Sequence, residues 1–177
     1  PDWFALEGVV SGDLNFGGYP NNTIFDFDLS IENGVFEGLK LGNVKGMGLY
    51  DSSRLYFNQF SARRGKDHTI AGAAYLPLDL NFNSENLGEM FMADSMWVDV
   101  SGDLNHLEFL SEYLIDVDSL PGNHNVSLQI TGPSENLVRN GKISIKDCSI
   151  YTILLDKPIK GVNGKGVLVN NLLSIKN

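Results

Sequence analysis

The chain holds a single cysteine, Cys148, so no disulfide within it can brace the fold, and the thiol reads as a small buried apolar group. Cations are scarce: 13 Lys and Arg stand against 22 Asp and Glu, for a formal net charge of −9. The one basic cluster is Arg63-Arg64-Gly65-Lys66. Nucleic-acid binding is excluded as a leading idea, because phosphate contacts need a stripe of cations that release counterions. The same charge disfavours adhesion to an anionic membrane surface. No apolar run approaches the roughly 20 residues of a membrane-spanning helix. Alanine is scarce and long runs of good helix formers are missing, which moves the expectation toward strands.

Residue pairs that could do chemistry are equally thin. His68, His106 and His124 fall in no metal-ligand spacing, and Cys148 has no close Cys or His along the chain. All three histidines read as exposed loop residues. Asp26, Asp28 and Glu32 share the polar side of one alternating segment. They read as a solvated strand face that discourages edge pairing rather than as a glycosidase carboxylate pair. Gly46-Met47-Gly48 and the glycines of 161–166 lack the strand-to-helix setting of a phosphate loop and read as sites of close strand approach or bulges. Asn21-Asn22-Thr23 and Asn125-Val126-Ser127 match glycosylation acceptors by spacing alone. No catalytic residue, metal site or cofactor is expected.

What the sequence does have is a rhythm of two. Phe4, Leu6, Val10, Leu14 and Phe16 occupy even positions; Phe25, Phe27, Leu29 and Ile31 alternate with Asp26, Asp28, Ser30 and Glu32. Alternation of this kind places one set of side chains on each face of a strand. Gly17 to Asn22 reads as a turn, and Asn33-Gly34 as a hairpin turn between the strand ending at Ile31 and another over 36–41. A Gly-rich strand is expected over 44–50, then one over 54–61 carrying Leu55 and Phe57. After a polar loop over 63–68, Ile70, Ala74, Leu76, Leu78, Leu80 and Phe82 hold even positions, with Pro77 suggesting an edge or a bulge. Met96, Val98 and Val100 follow in alternation.

One stretch departs from this rhythm. Leu107, Leu110 and Leu114 recur at spacings of three and four, which predicts a short amphipathic helix over 105–115, capped by Ser101, Asp103 or Asn105. A turn-rich return over 116–125 precedes further strands marked by Leu128 and Ile130, by Ile143 and Ile145, and by the apolar runs 150–155, 167–169 and 172–175.

The chain also repeats itself. Asp28-Leu29-Ser30-Ile31-Glu32-Asn33-Gly34 is similar to Lys142-Ile143-Ser144-Ile145-Lys146-Asp147-Cys148, and Asn43-Val44-Lys45-Gly46-Met47-Gly48 to Gly161-Val162-Asn163-Gly164-Lys165-Gly166. The order is kept at offsets of 114 and 118, so three units are expected: a β block over 1–62, a β block with the short helix over 63–125, and a β block over 126–177. The opening Pro1-Asp2-Trp3 reads as the middle of structure, so the chain is expected to be one fragment of a longer repeat protein.

These blocks resemble the TamB/AsmA-like proteins of Gram-negative bacteria. The resemblance is carried by Gly18 to Asn22, Ile31 to Gly34, Leu41-Gly42-Asn43-Val44-Lys45-Gly46, Ile130-Thr131-Gly132-Pro133-Ser134-Glu135-Asn136 and Gly141-Lys142-Ile143-Ser144-Ile145. Residues 105–114, followed by Asp116-Val117-Asp118 and Gly122, extend it. It covers nearly the whole chain, although Gly17-Gly18 and Pro133 interrupt its Gly-x-x-x-Asn pattern. The resemblance implies an all-β fold: a curled, repeat-built antiparallel or mixed sheet, taco-like, with an apolar groove and one short helix.

It also implies a non-enzymatic periplasmic module, anchored in the inner membrane outside this fragment, that contributes to phospholipid transport between the inner and outer membranes. A TamA-type outer-membrane barrel is an expected partner. The groove residues expected to meet acyl chains are Phe25, Phe27, Leu29, Ile31, Leu55, Phe57, Leu76, Leu78, Leu80, Phe82, Met96, Val98, Leu128, Ile130, Ile143 and Ile145. Two other readings stand beside it. One is a scaffold that assembles outer-membrane proteins by β-augmentation. The other is an adhesive or carbohydrate-binding β-solenoid, which needs a surface row of aromatics; Trp3, Tyr56, Tyr75 and Trp97 are scattered along the sequence.

Overall fold

Alternation everywhere leaves one way to satisfy the backbone, which is pairing strand to strand. The computed structural model describes residues 6–19, 22–36, 39–66, 68–79, 94–106 and 117–176. They form eleven strands: β1 (Leu6–Tyr19), β2 (Asn22–Phe36), β3 (Leu39–Asp51), β4 (Arg54–Arg64), β5 (His68–Leu76), β6 (Ser95–His106), β7 (Val117–Ser119), β8 (Pro121–Pro133), β9 (Val138–Thr152), β10 (Ile159–Val169) and β11 (Leu172–Lys176). The fold is all-β and every pairing is antiparallel. Strand order follows the chain, β1-β2-β3-β4-β5-β6-β8-β9-β10-β11, with the short β7 beside the far end of β9.

The sheet is open and one layer thick among the described residues. Extensive contacts join only strands that are hydrogen-bonded neighbours, so no second layer closes a sandwich. The accessible surface is 12180 Å², where a compact protein of 19.5 kDa exposes about 8,500 Å². Bulges break the register repeatedly, at Glu7/Val9, Ile31/Gly34, Met47/Gly48, Phe57/Phe60, Leu104/His106 and twice between β9 and β10. Each bulge bends its strand and adds local twist.

Several expectations are corrected here. Asn33-Gly34 makes no hairpin. Asn33 has φ 55° inside β2, which continues to Phe36. A left-handed Asn before Gly serves a bulge as well as a turn, and Ile31 pairs with Val44 while Gly34 pairs with Gly42, so β2 carries one extra residue. The two strands expected over 36–41 and 44–50 are one strand, β3. Pro77 lies neither at a sheet edge nor within a strand: β5 ends at Leu76, which spares the sheet a missing donor, and Pro77 is buried.

Ser101 and Asp103 cap nothing, because both belong to β6, which also takes in Asn105 and His106. The rest of the expected helix, 107–115, lies outside the described residues. Within the expected return over 116–125, the described residues are strand rather than turn, with β7 and the start of β8. The apolar run 150–155 leaves the sheet at Thr152, where Ile153 and Leu154 form a turn.

Candidate functional site: an apolar face across the sheet

Antiparallel partners put their side chains on the same face, so register decides which residues meet. One row runs Phe16-Phe25-Tyr50-Leu55-Leu76 from β1 to β5. The next runs Leu14-Phe27-Gly48-Phe57-Ala74-Val98-Ile130-Arg139 from β1 to β9. A third crosses from β1 to β11 as Gly12-Leu29-Gly46-Phe60-Gly72-Val100-Leu128-Gly141-Leu168-Leu173. A fourth crosses as Val10-Ile31-Val44-Ala62-Ile70-Gly102-Val126-Ile143-Gly166-Ile175. Neither of these two long rows holds a polar or charged side chain.

The rows alternate large with small. In the third, glycines stand in β1, β3, β5 and β9 beside Leu29, Phe60, Val100 and Leu128, so bulky groups lean into the gaps left by their neighbours. Gly48 shows why: a Cβ there would stand 2.6 Å from Cζ of Phe27. The aromatic rings lock together near this point. Phe25 stacks on Tyr50 at 5.0 Å between centroids, and Phe27 meets Phe57 edge-on at 5.2 Å. Phe27 and Tyr50 are each 5% exposed. Toward the margins the cover fails: Phe16 is 70% exposed and Ile175 75%.

Of the groove residues expected from sequence, Phe25, Phe27, Leu29, Ile31, Leu55, Phe57, Leu76, Met96, Val98, Leu128, Ile130, Ile143 and Ile145 share this face. Leu78, just past β5, is buried, and its N–H donates to the Leu76 carbonyl at 3.0 Å. Leu80 and Phe82 lie outside the described residues.

The reverse face carries the polar set. Asp26 accepts from the Asn15 amide at 2.8 Å, Asp103 accepts from Asn125 at 2.9 Å, and Lys45, Lys142 and Lys165 lie among them. Asp26 and Asp28 are exposed, as expected of a solvated strand face. No cluster of three or more metal-ligating side chains occurs among the described residues, and no described helix is long and apolar enough to cross a membrane.

Sequence reasoning missed two groupings. His124 is no exposed loop residue: it lies in β8, 2% exposed, and its Nε2 stands 3.0 Å from the Leu120 carbonyl oxygen and 3.5 Å from Sγ of Cys148. Burial pushes the Cys148 thiol up from its ordinary range. Gly122 (φ 150°) lets the backbone pass close over that thiol. The second grouping is aromatic. Tyr56, Tyr75 and Trp97, far apart in sequence, are direct register partners on β4, β5 and β6, on the polar face. No signal within a single strand could have shown either grouping, because both arise from cross-strand register.

No family model, curated protein or solved structure matches this chain.

Proposed function

We propose that this chain is one stretch of a periplasmic conduit whose apolar β-face carries phospholipid acyl chains between the inner and outer membranes. The observation that carries the reading is the pair of uncharged rows that run from β1 to β11 on one face only, crossing every strand except the short β7. Such a face removes about 0.8 kcal/mol of unfavourable hydration per buried methylene, so a tail is held without hydrogen bonds and slides without meeting one dominant contact. It sorts by apolarity and shape and leaves the headgroup at the rim. The resemblance to TamB/AsmA-like proteins, carried by turns and strand motifs, points to the same cell-envelope setting, with a TamA-type barrel as the outer partner.

Phospholipid should co-purify with the protein, and native mass spectrometry should resolve the adducts. Leu29→Asp and Leu128→Asp, which place a charge in the uncharged middle of the face, should remove those adducts and abolish function of the full-length protein. Charged variants that fold and function normally would sink the reading.

A second reading rests on the edges. β1 is 14 residues long, has no outer partner among the described residues, and exposes Val9, Val10, Leu14 and Phe16. As a scaffold for outer-membrane protein assembly, that edge would template client strands. In that case Val10→Pro should abolish function while Leu29→Asp spares it.

A further inference from the structure

The face turned away from the apolar rows carries mainly Asp, Asn, Ser, Lys and Gln, and on β4, β5 and β6 three of its aromatic side chains fall side by side. Tyr56 and Tyr75 lie with ring centroids 5.2 Å apart and planes at 41°, and Trp97 is the next register partner. Three adjacent strands make this strip about 10 Å wide. Trp97 keeps 37% of its surface in solvent. At one end stand Arg54 and Asp94, each half-exposed, with guanidinium and carboxylate 3.7 Å apart. The Tyr75 hydroxyl donates to Asp94 at 3.4 Å. Aromatic faces beside one strong donor fork and one acceptor are the two halves of a sugar site: ring faces take the C–H side of a pyranose, and the charged pair takes its hydroxyls.

We propose that Tyr56, Tyr75 and Trp97, with Arg54 and Asp94, form a platform that binds a neutral oligosaccharide on the polar face of the sheet. Neutrality follows from charge: the chain carries −9, and Asp99 and Asp103 follow Trp97 along the same face of β6, so acidic sugars are repelled. The strip crosses the strands, so the glycan lies perpendicular to them, stacking on successive rings. The site is independent of the acyl-chain reading, since it uses the other face and other side chains.

The test is a titration of the protein with three neutral probes, chitotriose, cellotriose and maltotriose, followed by saturation-transfer NMR and by tryptophan fluorescence in a Trp3→Phe background. At least one probe should give a saturable blue shift of Trp97 with a Kd near about 1 mM. Trp97→Ala and Tyr75→Ala should weaken binding at least about tenfold by NMR, and Arg54→Gln, which leaves the rings in place, should weaken it severalfold. Absence of a saturable response to all three probes at about 10 mM overturns the proposal. So does binding that survives Trp97→Ala in a protein with unchanged circular dichroism. If the ring variants lower the melting temperature and no probe binds the parent protein, the strip only stiffens the sheet and the proposal fails.

Discussion

Strands β2–β4 and β9–β11 are the same device built twice, once in the interior of the sheet and once at its margin. Each block starts with a strand carrying a left-handed residue at a bulge, Asn33 (φ 55°) and Asp147 (φ 56°). In each, four residues on that strand oppose three on the next: Ile31 to Gly34 against Val44 to Gly42, and Ile145 to Cys148 against Gly164 to Val162. Each closes on a two-residue turn with both residues at positive φ, Ser52-Ser53 and Asn170-Asn171. Each seats a large side chain over a glycine, Phe27 over Gly48 and Ile143 over Gly166. The filling differs: five rings in the first block, aliphatic groups in the second. So does the cover. β4 is followed by β5, whereas β11 has no outer neighbour among the described residues and leaves Leu172, Leu173 and Ile175 exposed. The same local code thus gives a self-sealed centre where strands flank it on both sides and a bare apolar margin where they do not.

The sharpest way to break this comparison is truncation of matched side chains. Phe27→Ala should cost about 3–5 kcal/mol in urea unfolding, while Ile175→Ala should stay within about 0.5 kcal/mol. Equal costs would mean that the margin is covered as well as the centre. Glycine seats come next. Gly48→Ala should destabilise by about 1–3 kcal/mol, because the new methyl meets both the Phe27 ring and strand backbone. Gly166→Ala meets chiefly the Cγ2 methyl of Ile143, a side chain rather than backbone, and should cost less. Gly164→Ala meets nothing within 4 Å and should gain about 0.4–1 kcal/mol by restricting the unfolded chain.

The turns should respond with opposite signs. Ser53→Gly relieves a left-handed serine and should stabilise by up to about 1 kcal/mol. Asn171→Gly removes the side chain that donates to the Leu137 carbonyl and accepts from the Arg139 N–H, and should cost about 1 kcal/mol despite the easier backbone. Smallest in free energy is the response of Cys148, which stands where the first block has Gly34. Its thiol is 1% exposed and burial raises its pKa. Stability from keeping it protonated is therefore intact below the ordinary thiol pKa of about 8.5 and falls as pH rises beyond it. Iodoacetamide labelling at pH 8 should track unfolding and be negligible in the native protein.

Strand alternation was legible because it is local: Phe25 to Ile31, Met96 to Val100 and Leu128 to Ile130 needed only their own parity to reveal a face. Bulges were half-legible. Asn33-Gly34 announced left-handed backbone, but hairpin and bulge make the same demand, and only the partner strand distinguishes them. The run that begins at Ile70 leaves β5 after Leu76, because Pro77 supplies no donor, and parity alone does not register that stop. His124 against Cys148 and the Tyr56-Tyr75-Trp97 row were illegible, since each joins residues whose adjacency depends on register set elsewhere in the sheet.

Strand order that follows chain order has a kinetic corollary. Nearly every strand pairs with the one made just before it, so the loops to be closed are short for an all-β protein. Contact order is correspondingly low and folding should be fast for its class. Such a chain can zip hairpin by hairpin outward from whichever turn closes first, adding each strand to a template already in place.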